Sequence, residues 1–164
     1  MTLYVVRHAH AGRRSDWNAD DRTRPLSDRG ELQAKGIATA IDRDRERSAP
    51  LRILTSPAKR CDQTVQPLAH QCGGEIVVDD RLFEGADRDE ISSLLDDIAR
   101  AVDDGADVVA CSHGDVIPVL LGLLVDDGMQ PARNLVWQKA SMWTVRRTDG
   151  RWGTGEYLPP PDRA

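Results

Sequence analysis

The sequence predicts an α/β protein: a three-layer α/β/α sandwich with a mainly parallel sheet and an antiparallel C-terminal hairpin. Three observations carry this. Short β-branched runs alternate with longer stretches at helical spacing, the pattern of strands joined by helical crossovers. The run Val108-Val109-Ala110-Cys111 is apolar throughout, as a central parallel strand covered on both faces requires. Two strand-like runs, 141–147 and 152–157, flank Asp149-Gly150, a two-residue hairpin signal.

The elements follow in order. Residues 3–7 are a first strand, β-branched and bounded by polar residues. Residues 9–26, rich in Arg, Asp and Gly, are an irregular loop. Ser27 caps a helix over 28–47, whose apolar face is expected to carry Leu32, Ile37, Ala40 and Ile41. Ala49-Pro50 stops that helix, and 52–55 is a short strand. Ser56-Pro57 fits N-cap plus first position of a helix over 57–72, which Gly73-Gly74 ends. Residues 76–78 are a third strand. A helix over 87–102 places Ile91, Leu94, Leu95, Ile98 and Val102 on one face. The strand at 108–111 precedes a helix over 114–125, with Pro118 in its first turn or bending it. Pro159-Pro160-Pro161 cannot continue a strand. A single domain over 1–158 with a Pro-rich tail over 159–164 is expected, and 164 residues suffice for a sizeable core.

Composition narrows the function classes. With 40% hydrophobic and 30% charged residues the chain reads as globular rather than disordered. A formal net charge of -5 argues against a nucleic-acid polymer as partner. Yet Arg7, Arg13, Arg14, Arg22, Arg24 and Arg29 crowd the N-terminal end, while acids collect between Asp79 and Asp107. A basic pocket on an acidic protein suits a small anionic ligand. The three cysteines, Cys61, Cys72 and Cys111, form no CxxC pair, so neither a disulfide framework nor a zinc site is indicated. Free thiols in a reducing cytoplasm are the expectation. No signal peptide is read at the N-terminus. The apolar stretch 116–125 is far shorter than the ~20 residues of a membrane span and should be a buried helix.

In open α/β sheets, ligands sit beyond the carboxyl ends of the strands. Three predicted strand ends carry Arg7-His8, the segment Ser56 to Arg60, and Ser112-His113. If they share one crevice, two arginines and two histidines converge. Two guanidiniums would hold a phosphate dianion and offset its charge as phosphorus is transferred. Their charge would also disfavour imidazole protonation. A neutral imidazole is what a nucleophile needs. A lone Arg-His pair is more often a surface or packing feature; the convergence is what argues for a site.

Five segments together carry a resemblance: Arg7-His8-Ala9, Arg24-Pro25-Leu26-Ser27-Asp28-Arg29-Gly30-Glu31-Leu32-Gln33-Ala34, Ser56-Pro57-Ala58-Lys59-Arg60-Cys61-Asp62-Gln63-Thr64, Leu82-Phe83-Glu84-Gly85 and Ser112-His113-Gly114-Asp115. In this order and spacing they resemble the histidine phosphatase superfamily, the phosphoglycerate-mutase-like family. The short length and Arg24-Pro25-Leu26-Ser27 resemble its compact phosphohistidine-phosphatase-like branch. They also resemble the phosphatase domain appended to some actinobacterial Nudix hydrolases, although no Nudix segment is read here.

The resemblance implies roles. His8 would be the nucleophile and form a phosphohistidine. Arg7 and Arg60 would clamp the phosphate, and His113 would hydrogen-bond the transferring phosphoryl group. Glu84 would be the general acid, with Glu75 and Glu90 as alternatives that lack its Leu-x-Glu-Gly setting. No metal and no cofactor would be needed, because arginines supply the positive charge. Ala9 departs from the glycine that commonly follows the motif histidine, and compact members often lack the acid. The implied activity is a metal-independent phosphatase acting on a phosphomonoester or phosphohistidine through phospho-His8. Its partner would be a phosphorylated small molecule or a phosphohistidine protein, with no membrane.

Three alternatives stand beside it. One is phosphoglycerate-mutase-type phosphoryl transfer, against which the lack of long insertions argues. Another is a metal-dependent hydrolase using His8, His10 and Asp residues, since a His-x-His pair on a strand shares one face. The last is a non-catalytic phosphate-binding module using Arg7 and Arg60. Arg13, Arg14 and Asn18 are expected to reach the substrate from the 9–26 loop. Ser56 is expected to serve first as a helix cap. His10 and His70 read as ordinary polar residues. Trp137, Trp143 and Trp152 read as packing residues, with Trp17 in the substrate loop.

Overall fold

Strand β1 (Thr2–Arg7) lies inside a seven-stranded sheet in the computed structural model, which describes residues 1–161. The last three positions of the predicted tail, 162–164, lie outside the described residues. The other strands are β2 (Leu51–Thr55), β3 (Glu75–Val78), β4 (Asp107–Ser112), β5 (Gln130–Pro131), β6 (Met142–Thr148) and β7 (Arg151–Leu158). Their order across the sheet is β3-β2-β4-β1-β6-β7-β5. β3, β2, β4 and β1 run parallel, and β6 pairs antiparallel with β1. In register, Arg7 pairs with Ser112 and Thr55 with Cys111, so three carboxyl ends finish level with one another. The β6–β7 hairpin turns through Asp149 (φ 50) and Gly150 (φ 72). Positive φ at both central residues is the geometry that Asp-Gly favours.

Helices α1 (Asp28–Asp44) and α2 (Lys59–Cys72) cover one face of the sheet. Ala34, Ile37, Ile41, Val65 and Leu68 pack there with Tyr4, Val6, Ile53 and Val109. Helices α3 (Arg88–Asp103) and α4 (Val116–Asp126) cover the other, where Ile91, Leu94, Ile98, Ile117 and Leu120 meet Leu3, Val5, Val108 and Trp143. Alternate residues of β1 thus feed opposite cores, which is why its run is continuously apolar. The three-layer α/β/α architecture and mainly parallel sheet are as expected.

Several local expectations are corrected. α1 ends at Asp44 rather than 47, and Leu32 is 68% exposed. The buried stripe runs Ala34, Ile37, Ala38, Ile41 at strict i, i+3, i+4 spacing, and Leu32 lies about 200° around the helix from Ala34. α2 starts at Lys59 with Ala58 as its N-cap, so Ser56 stands outside the helix. β5 has only two residues, too few to carry a periodicity in the sequence. Pro118 is the third residue of α4, where its missing N–H costs nothing. Among the described residues no helix is long and apolar enough to cross a membrane.

Candidate active site

His8 is the first residue beyond β1, and its backbone is held from both sides. Its N–H donates to Ser112 O at 3.1 Å, and its carbonyl accepts from Ala140 N at 3.1 Å. The residue is 4% exposed. Nδ1 lies 2.8 Å from Ala9 O. A carbonyl only accepts, so Nδ1 carries the proton and Nε2 keeps its lone pair. Burial pushes the imidazole well below its ordinary 6.5, and the charges of His113, Arg60 and Arg7 add to this against the opposing Ala9 bond. His8 is therefore neutral at physiological pH.

Arg60, the second residue of α2, is 1% exposed. Its Nη1 donates to Asp21 O at 2.8 Å, and its Nη2 donates to Glu84 Oε1 at 2.6 Å and lies 3.1 Å from Asp21 Oδ2. Arg7 donates from Nη1 to Trp137 O at 2.7 Å. Burial works against its charge, and Asp115 supports it. Arg7 and Arg60 each keep a buried Nε without a partner among the described residues. Gly114 makes room for Arg7: a Cβ there would stand 2.7 Å from Nη2 and 2.9 Å from Cζ.

His113 follows β4, and its ring centroid is 5.4 Å from that of His8. Its Nε2 is 2.7 Å from Ser56 Oγ and 3.5 Å from Cys61 Sγ. Its Nδ1 is 3.2 Å from Glu84 Oε1. Ser56 Oγ also accepts from Ala58 N at 3.2 Å, but its shorter contact is the histidine. The expectation that Ser56 is first a helix cap is thus corrected: the hydroxyl chiefly orients His113.

Arg7, His8, Arg60, Glu84 and His113 are brought together. Arg13, Arg14 and Asn18 are exposed, and Arg14 pairs at 3.6 Å with Asp21, through whose carboxylate it is linked to Arg60. The alternative acids stand elsewhere. Glu75 begins β3, at the end of the sheet opposite the site. Glu90 closes a capping box with Asp87 at the start of α3. His10 Nδ1 is 2.7 Å from Ser27 Oγ at the N-cap of α1. That bond occupies one nitrogen of the histidine that would have joined His8 in a metal site. Trp143 and Trp152 are buried, as expected, while Trp17 is exposed within the loop.

Arg24, Asp21 and Lys139 stand at the site without a role expected from the sequence. Arg24 is buried, donating to Ala11 O and to Asp21 Oδ1, both at 2.8 Å. Asp21 thereby gathers Arg24, Arg60 and Arg14; despite some burial, the Arg24 bond and these charges hold its carboxyl below the usual range. The Arg24-Pro25-Leu26 segment was the available signal for Arg24. Lys139, beside the clamp, had none.

A family model described as histidine phosphatase superfamily (branch 1) matches residues 3–89. The 8-oxo-(d)GTP phosphatase of Mycolicibacterium smegmatis is 30% identical over 161 residues, 98% of this chain and 49% of that protein. The probable phosphoglycerate mutase GpmB of Enterobacter sp. is 33% identical over 90 residues, 51% of this chain and 38% of that one. The chain thus spans about half the length, or less, of the curated relatives it matches. Among solved structures, the protein histidine phosphatase SixA complexed with tungstate superposes with a TM-score of 0.72 at 21% identity, covering 97% of this chain and 95% of its own. The putative phosphohistidine phosphatase SixA from Agrobacterium tumefaciens gives 0.72 at 24% identity, covering 97% and 98%. These likenesses show the shared fold.

Proposed function

Because the chain belongs to the histidine phosphatase superfamily, we propose that it is a metal-independent phosphatase working through a phospho-His8 intermediate. The observation that carries this reading is the neutral, buried His8, with Nε2 unprotonated among two arginines and His113. Nε2 attacks phosphorus in line with the leaving oxygen, forming the P–N bond as the P–O bond breaks. Arg7 and Arg60 hold the phosphoryl oxygens, and the added negative charge meets their buried Nε donors, which have no partner among the described residues. His113, oriented by Ser56, hydrogen-bonds the same group. Glu84 gives its proton to the leaving oxygen. Water then attacks phosphorus, Glu84 takes back a proton, the P–N bond breaks, and inorganic phosphate leaves.

The substrate class is a phosphorylated small molecule or a phosphohistidine protein. The nucleotide named for the mycobacterial relative and the phosphohistidine named for the Agrobacterium tumefaciens SixA support these respectively. We read residues 1–158 as one catalytic domain, and the three free cysteines support a cytoplasmic setting. Brief reaction with a 32P-labelled phosphomonoester should leave label on His8, lost in acid and retained in alkali. His8→Ala should carry none. Acid-stable label, or label on another residue, overturns the mechanism.

A further inference from the structure

The loop between β5 and β6 is stitched to the clamp. Trp137 O accepts from Arg7 Nη1, Ser141 O accepts from Arg7 N at 3.0 Å, and Ala140 N donates to His8 O. Ala140 is buried with φ 63, a left-handed conformation that residues other than glycine rarely adopt. The surrounding bonds hold that strained turn in place. Lys139 is pinned between these anchors, half-buried, with no carboxylate partner among the described residues. It lines a cavity of about 360 Å³ together with His10, Arg29, Gln33, Gln138 and Pro160.

The neighbouring cations differ. Arg60 and Arg24 are neutralised by Asp21 and Glu84, and Arg7 is tied to a carbonyl. Burial, and then the charges of Arg7, Arg24 and Arg60, lower the Lys139 ammonium from its ordinary range. The backbone anchors on either side of Lys139 hold it beside Arg7 and His8, where positive charge predominates, and an anion entering with the ligand would favour its ammonium. The phosphoryl group itself is already met by two guanidiniums.

We propose that Lys139 is a specificity-determining residue that binds a second phosphate of the substrate, next to the one transferred to His8. The preferred substrate class is then a phosphoanhydride or a compound with two neighbouring phosphates rather than a simple monoester. A flexible ammonium is a point-charge phosphate binder and needs no fixed fork geometry. This rests on the phosphatase reading only for which phosphate is transferred.

The test is binding, measured by calorimetry on the full chain with methylenediphosphonate and with inorganic phosphate. The wild-type protein should prefer the diphosphonate by about tenfold or more. Lys139→Met should collapse that ratio towards one, and Lys139→Arg should restore most of it. A ratio unchanged in Lys139→Met overturns the assignment, whether both ligands weaken equally or neither does. Phosphate release from p-nitrophenyl phosphate is followed in parallel. Its absence in the wild type sinks the catalytic reading, while the affinity ratio still judges Lys139.

Discussion

Glu84 Oε1 sits 2.6 Å from Nη2 of Arg60, so a carboxylate covers the guanidinium assigned to phosphate. The same oxygen is 3.2 Å from His113 Nδ1. An incoming phosphate meets a like charge and must displace the carboxylate or share the site with its protonated form. Glu84 is 35% exposed at its side chain, which leaves it room to move aside and a path to a leaving group.

Glu84→Gln should therefore separate two classes of substrate. On an alkyl phosphate, whose leaving oxygen needs a proton, kcat should fall by about 10²–10⁴-fold. On p-nitrophenyl phosphate the fall should be small, and inorganic phosphate should bind more tightly once the competing charge is gone. Rates on both substrates check this; an equal fall would remove Glu84 from the acid role.

His8 links the site to stability. Its pKa is lowered in the fold, so as pH falls below the ordinary 6.5 the unfolded chain takes up the proton first. The stability tied to neutral His8 is present above that pH and is lost below it. Melting temperature should drop between pH 7 and pH 5, and His8→Asn should drop less. Equal pH slopes for the two proteins, read by calorimetry, would contradict the burial argument.

Gly114 is a packing requirement of Arg7. In Gly114→Ala the new Cβ overlaps the guanidinium while the strand pairing stays as it is. Phosphate affinity should weaken by about tenfold, or ~1.4 kcal/mol. Because both changes disable the same group, Gly114→Ala combined with Arg7→Ala should cost little more than Arg7→Ala alone. A fully additive double mutant would show that Gly114 acts elsewhere.

Ser56 positions His113 through its hydroxyl, 2.7 Å from Nε2. Ser56→Ala leaves a buried imidazole nitrogen short of its 2.7 Å partner, worth about 1–3 kcal/mol. If that loss appears in the transition state, kcat falls by about tenfold or more. Nitrogen-15 shifts of His113 should change in this variant. A rate loss with unchanged His113 resonances would point to a packing defect instead.

The features legible in the sequence are those governed by neighbours along the chain. Hydrophobic runs marked β1 and β4, and a side chain directly after a buried strand of a parallel sheet must emerge at one edge. That placed Arg7, His8 and His113, and Arg60 followed from the helix start after β2. Asp149-Gly150 specified its hairpin because backbone sterics act within two residues. Tertiary structure decided what depends on register and loop path. Ser56 resembled a cap, yet its hydroxyl serves a histidine 57 residues away. Glu75, Glu84 and Glu90 are chemically alike, and only the turn after Leu82 brings one of them to Arg60. Arg13, Arg14 and Asn18 share a loop whose fold turns them to solvent, while Arg24 and Asp21 from that same loop are drawn to the site. Lys139 carries no local signal, since its position depends on hydrogen bonds to residues some 130 positions earlier. Local propensity and periodicity are short-range; electrostatic partners and packing neighbours are chosen only once the sheet has aligned its strand ends.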